Sequence, residues 1–420
     1  MAYKLIKLVH QNKRMKSLAV FISLFFCFTT AYCINFKAPQ SGRWIGKLNI
    51  SSTESINFEF KIEKVKSSFR VIIFNDEEVV PLNDPIFKED SFHVNFKYFN
   101  SELVFKLSSK KSIAGRWINH LKKDYSIPFE ATLSNASIFP IEEVTSNNVF
   151  DGEWKTRFSP DGNSFEAIGA FKQNGNKITG TFLTETGDFR YLSGNVTNSN
   201  KFMMSGYDGS HAFLFIGLLV DGKIQGEYIS GNHYRTTWIA EKDSSFKLRH
   251  ADSLTRMVGN PNEFYLEFNK LNGDKFTFPN PLFQDKVVII QILGTWCANC
   301  MDETIFYKEL YDKYNSQGLE IISVGYEIGD EFDDFAKQLE TYKKRFNLNH
   351  LVLVGGSANK SSAKNDFGFI SDFTSFPTSI FIDKTGKVVS IHTGFSGPGT
   401  GKYYTEYKEK TQNLIESLLK

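Results

Sequence analysis

Cysteine is scarce in this chain, with four in 420 residues. Two of them, Cys27 and Cys33, fall in an apolar N-terminal stretch that reads as a targeting signal, so the exported chain keeps one tight pair, Cys297 and Cys300. A structural disulfide more often bridges distant segments, and a zinc site needs further ligands, so a lone Cys-x-x-Cys points to redox chemistry. The eight histidines show no close ligand spacing, and no metal is expected. Charge of one sign is also missing. Forty-nine Lys and Arg stand against 47 Asp and Glu, a formal charge of +2, which is too balanced for a nucleic-acid footprint.

Long apolar runs are absent as well. The N-terminal run over 18–28 falls short of the roughly 18–20 residues a spanning helix needs. Lys13, Arg14 and Lys16 precede it, and Ala31-Tyr32-Cys33 follows as a small-residue cleavage site, the layout of a secretory signal over residues 1–33. Met15 opens a more typical signal than Met1 does. The bulky Tyr32 argues against a lipid-modified Cys33. The expectation is export, with the mode of membrane anchoring open.

What the chain has in abundance is phenylalanine, 41 residues, much of it alternating with polar residues as in half-buried strands. Ile56, Phe58, Phe60 and Ile62 alternate, as do Phe92, Val94, Phe96 and Tyr98. An internal repeat runs through this region. Gly42-Arg43-Trp44 recurs as Gly152-Glu153-Trp154, and Gly115-Arg116-Trp117 recurs as Gly226-Glu227-Tyr228. Turn signals at Asn174-Gly175, Thr186-Gly187, Asp208-Gly209, Asp221-Gly222 and Gly231-Asn232 are spaced like a meander. The expectation is a duplicated all-β region, antiparallel barrel or sandwich, with copies over 34–135 and 150–243 joined by a Ser- and Asn-rich connector.

From 263 to 420 the pattern changes. A hairpin around Asn272-Gly273 leads to a continuous apolar run over 286–293, as in a central buried strand. Helices are expected over 299–315, 330–346, 360–369 and 404–419, with strands over 319–324, 351–354, 378–382 and 388–391. Alternating strands and helices make a mixed-sheet α/β domain. The order buried strand, Gly294-Thr295-Trp296, Cys297-x-x-Cys300, helix puts Cys297 at a helix N-terminus, where unpaired N–H groups and the dipole favour a thiolate. Cys300, one turn on, is placed to resolve a mixed disulfide formed by Cys297.

These residues carry a resemblance. From about Phe264 onward the chain resembles the TlpA/ResA family of thioredoxin-fold thiol-disulfide oxidoreductases, exported bacterial proteins. The matching stretches are Gly294-Thr295-Trp296-Cys297-Ala298-Asn299-Cys300, Phe376-Pro377-Thr378-Ser379-Ile380-Phe381-Ile382-Asp383 and His392-Thr393-Gly394-Phe395. The resemblance implies that Pro377 is cis and faces the pair, and that Trp296, Phe376 and Pro377 flank the substrate groove. It also implies that Glu303, three residues after Cys300, manages the proton of the buried cysteine; the bland alternative is a solvated surface glutamate. Gln291 stands where cytoplasmic thioredoxins carry a buried aspartate, and a neutral side chain cannot be that base. Many relatives have Pro before the second cysteine where this chain has Asn299, so the redox potential does not carry over.

The implied function is an exported disulfide reductase with no prosthetic group, acting on a protein disulfide or dithiol and recharged by a membrane electron donor. Proteins of cytochrome c maturation are partners in the family. Two rivals remain. A peroxiredoxin needs Pro-x-x-x-Thr-x-x-Cys, and Ile290 and Gly294 occupy those positions. A binding adaptor would use the β repeat for a partner or glycan and keep the α/β domain subsidiary. The phosphate-loop look of Gly397-Pro398-Gly399-Thr400-Gly401-Lys402 fails in register, and the acidic stretch over 327–334 reads as a helix N-terminal turn.

Overall fold

Alternating aromatic and polar residues build the first sheet. Ile56, Phe58, Phe60 and Ile62 are buried, while Lys61 between them faces water. In this computed structural model, which describes residues 38–142, 148–159 and 163–420, the sheet has nine antiparallel strands. From the edge strand Glu78–Val80 it runs back to Gly42–Asn49, which pairs with Ser126–Leu133, and then on to the other edge at Ile86–Lys88. The two edge strands do not pair with each other, and only a single bridge past them, Leu82 to Phe96, links the ends, so the sheet is a half-barrel.

The second copy closes. Gly152–Phe158 pairs with both Phe165–Asn174 and Tyr234–Lys242, and Phe165–Asn174 pairs again with Lys177–Thr184, completing a ring of eight strands. Each expected turn from Asn174-Gly175 to Gly231-Asn232 sits between consecutive strands. The two sheets share one detail: Trp44 Nε1 donates to the carbonyl of Gln40, and Trp154 Nε1 donates to that of Phe150, the same four-residue reach.

The open half-barrel is filled from outside. Tyr207, from the barrel, is fully buried in the first sheet's core, its ring centroid 4.6 Å from Phe58, 5.2 Å from Trp117 and 5.4 Å from Phe96. Asn75 grips the Tyr207 backbone from both sides, accepting from its N–H and donating to its carbonyl at 3.0 Å each. Ser101 donates to the Gly209 carbonyl at 2.6 Å.

The C-terminal domain is the expected mixed sheet, seven strands with Val287–Leu293 near the centre and buried throughout. It runs parallel to Leu319–Glu327 and antiparallel to Thr378–Ile382. Its residues alternate between two cores: Val287 and Ile289 join helices α1 (Ala298–Tyr314) and α4 (Lys402–Leu419), whereas Val288, Ile290 and Ile292 face the other. Helices α2 (Phe332–Phe346) and α3 (Lys360–Asp366) complete the domain. Residues 39–420 form one unit. The expected signal, with Cys27 and Cys33, lies outside the described residues. No helix among the described residues is long and apolar enough to cross a membrane.

Candidate redox site

The central strand ends at Leu293, and the chain turns through Thr295 and Trp296 into α1. Cys297 is the N-cap of that helix, its sulfur accepting from the Cys300 N–H at 3.2 Å. The side chain thus satisfies one of the donors a helix start leaves free, in the field that stabilises a thiolate. Cys297 and Cys300 are joined in a disulfide, with Cα atoms 5.2 Å apart. Cys297 keeps 8% of its surface exposed and Cys300 none, so only the first sulfur is within reach of a partner.

The sequence-predicted groove residues converge here. The Phe376–Pro377 bond is cis, and the Phe376 carbonyl lies 3.7 Å from the Cys297 sulfur. The Trp296 ring meets Phe376 edge-on at 5.6 Å and is tied by Nε1 to the Tyr326 carbonyl at 2.9 Å.

Glu303 is fully buried, which removes the solvated-surface alternative. Burial pushes its carboxyl up to about 7, against hydrogen bonds from Gln291, Tyr407 and Ser379 that favour the anion. Those donors stand at 2.9, 3.2 and 3.2 Å. Gln291 is therefore a donor to Glu303, while its own oxygen accepts from Thr304 and Ser323. A carboxyl near 7 on the helix of Cys300 can take or give a proton at neutral pH.

A second buried acid escaped the sequence reading. The sequence groups Glu327 with the following acids as a helix N-terminal turn, and Asp333 and Asp334 do open α2. Glu327 instead ends the strand before it, fully buried, and accepts from the N–H and hydroxyl of Thr295 at 3.0 and 2.5 Å. Burial pushes it up to about 8. It braces the turn just ahead of Cys297.

The barrel also reaches this site, which nothing local in the sequence announces. Ser210 donates to the Trp296 carbonyl at 3.1 Å, and Ser375 donates to the Thr186 carbonyl at 3.1 Å. The Gly397 N–H donates to Asp188 at 2.6 Å. Arg190 pairs with Asp302 of α1 at 3.2 Å, with Asp208 at 3.3 Å and with Glu78 of the half-barrel at 2.5 Å, all nearly buried. Burial pushes Asp302 up to about 7 and Asp188 up to about 6. Burial works the same way on Asp208, but His211 and Arg190 hold it down to about 2. Among the described residues no cluster of His, Cys, Asp and Glu could hold a metal ion.

Comparison with known proteins bears on the same domain. The family described as Redoxin matches residues 262–406. Thiol-disulfide oxidoreductase ResA of Bacillus thuringiensis subsp. konkukian is 34% identical over 142 residues, 33% of this chain and 70% of that protein. Its namesake from Geobacillus thermodenitrificans is 31% identical over 136 residues, 32% of this chain and 65% of that protein. Among solved structures, a thiol:disulfide interchange protein of the thioredoxin family from Chlorobium tepidum overlaps 39% of this chain and 98% of its own, at 18% identity and a TM-score of 0.29.

Proposed function

This chain belongs to the ResA family of thiol-disulfide oxidoreductases through its C-terminal domain, and from that premise we propose that it is an exported disulfide reductase in which Cys297 attacks and Cys300 resolves. The supporting observation is the asymmetry of the pair: Cys297 caps the helix and is the exposed sulfur, whereas Cys300 is sealed beneath it. In the reduced chain the Cys297 thiolate attacks a substrate disulfide, forming a mixed disulfide and releasing one substrate thiolate. The Cys300 thiol gives its proton to Glu303, and its sulfur then attacks Cys297 to release the second substrate thiolate. The chain is left oxidised, the substrate has gained two electrons, and Glu303 holds a proton to return to solvent. A membrane electron donor re-reduces the pair.

The barrel enters this proposal as a cover packed on the redox domain rather than as a separate adaptor, because Thr186, Asp188 and Ser210 touch the loops around Cys297 without reaching the sulfurs in these contacts. The deciding measurement is the reduction potential of the pair, by thiol trapping in graded redox buffers. A value near or below about −230 mV supports a reductase, and one near roughly −120 mV makes the chain an oxidant. Fractionation of the native host, with the chain recovered from the cytoplasm, would overturn export.

A further inference from the structure

Three loops of the C-terminal domain surround the Cys297 sulfur: the helix start from 296 to 302, the loop before Pro377, and the loop from 394 to 400. Each is covered by one segment of the barrel, residues 184–190. At the first, the Asn299 side chain donates to the Asp188 carbonyl at 3.4 Å, and Arg190 pairs with Asp302. At the second, Ser375 donates to the Thr186 carbonyl. At the third, Asp188 receives the Gly397 N–H. Approach is so close there that two glycines are required. A Cβ on Gly394, whose φ is +84°, would stand 2.6 Å from the Thr186 backbone, and one on Gly399 would stand 2.8 Å from the backbone of Arg190.

We propose that this strap is a size filter on the redox site, a specificity element that lies where a macromolecular substrate must seat its chain to bring a sulfur onto Cys297. The inference rests on the reductase reading and adds to it. A cleft of about 650 Å³ remains beside the strap, lined by Phe165, Glu166, Thr184, Asn299, Ser375 and Phe376. That volume admits a small disulfide or a short extended peptide. It does not admit the face of a folded protein, whose contact with the Ser375–Phe376 backbone requires the strap to leave. The strap's hold on the redox loops is polar and backbone-mediated, and its one ring, Phe189, packs into the barrel's own core against Phe158, Phe215 and Tyr228, so a movement that keeps Phe189 seated parts strap from redox loops without exposing a hydrophobic core. Folded protein disulfides therefore react only through the fraction of molecules in which the strap has lifted.

The test uses the full chain, pre-reduced, in single turnovers with two oxidants: insulin as a folded protein disulfide and dithionitrobenzoate as a small one. Gly399→Ala places a methyl against the strap backbone from the redox side. Asp188→Ala removes the strap's anchor from the barrel side, so the two variants act independently should either misfold. An open state populated at about 1–10% in the native chain predicts that lifting the strap speeds insulin reduction about ten- to hundredfold. The dithionitrobenzoate rate stays within about twofold, since small reagents do not wait for opening. Insulin rates unchanged in folded variants, with dithionitrobenzoate turnover intact, overturn the filter. A native chain inert toward dithionitrobenzoate overturns the reductase reading itself, and the filter with it.

Discussion

Replacing Glu303 by Gln tests the protonation of the buried acid separately from its packing. The folded chain raises this carboxyl from 4.5 to about 7 because burial outweighs the hydrogen bonds from Gln291, Tyr407 and Ser379. A raised carboxyl binds its proton more tightly in the folded than in the unfolded chain. Its stability contribution is therefore complete below about pH 4.5 and is lost as pH rises through about 7. At about 1.4 kcal/mol for each tenfold change in proton affinity, the loss is roughly 3 kcal/mol. Glutamine cannot titrate. One of the two facing amides, at 291 or 303, must turn over, which costs about one hydrogen bond, ~1 kcal/mol, and does so equally at every pH. The assay is urea unfolding of the oxidised native chain and of Glu303→Gln at several pH values. The expected result is a variant that gains roughly 3 kcal/mol on the native chain between acid and mildly alkaline pH. Asp302, Asp188 and Glu327 bend both profiles in the same direction and cancel in the difference. Parallel profiles would refute the reasoning, since they would mean that burial leaves the Glu303 carboxyl at its ordinary value. The same variant lacks the proton acceptor proposed for Cys300, so resolution of the mixed disulfide should slow by about 10²–10⁴. A chain made more stable and less active by one substitution is the expected trade at a strained functional site.

Three further outcomes are expected. Arg190→Ala leaves Glu78, Asp208 and Asp302 buried without their cation, and should cost about 3–5 kcal/mol in urea unfolding at alkaline pH. The cost should shrink at acid pH, where Asp302 and Asp188, with carboxyls raised to about 7 and about 6, are neutral; a cost independent of pH would refute the charge argument. Tyr207→Ala should destabilise by about 3–5 kcal/mol by emptying the half-barrel, whereas Tyr207→Phe should raise stability by about 1 kcal/mol, because the buried hydroxyl has no hydrogen-bond partner. Cys300→Ser should accumulate a mixed disulfide at Cys297 visible by mass spectrometry, and Cys297→Ser should not.

Much of the C-terminal domain was legible in the sequence because its signals are local. An unbroken apolar run marks a strand covered on both faces, and Val287–Leu293 is buried at every position. The cysteine pair after that strand has one place to go, the start of the next helix. Boundaries slipped by up to three residues: the last helix begins at Lys402 rather than at 404, and the strand expected over 351–354 runs on to Ser357. The β region was legible as strands and turns but not in its closure. Whether a meander closes depends on the pairing of Lys177–Thr184 with Leu192–Asn198, which has no counterpart in the first sheet, and the two copies carry similar alternation with opposite outcomes. Arg190 and Asp302 meet across 112 residues of chain, and an acid that follows a Cys-x-x-Cys by two residues looks solvated until the barrel is placed over it. Glu327 was missed for a similar reason. Nothing in its neighbours distinguishes a strand's last buried residue from the first of an acidic turn.

The plug of the half-barrel has a consequence for how the chain is made. Synthesis proceeds from the N-terminus, so the strands from Gly42–Asn49 to Ser126–Leu133 are complete well before Tyr207 exists. In that interval the concave face carrying Phe58, Phe96 and Trp117 has nothing to close upon. The first copy of the repeat is thus a dependent, not a founder: it waits for its sibling to finish it. Tyr207 arrives with Asp208 and Ser210, the residues that reach Arg190 and the Trp296 carbonyl. The β-turn that completes the nascent half-barrel is therefore the one that waits, still unoccupied on its other side, for the redox helix to be born.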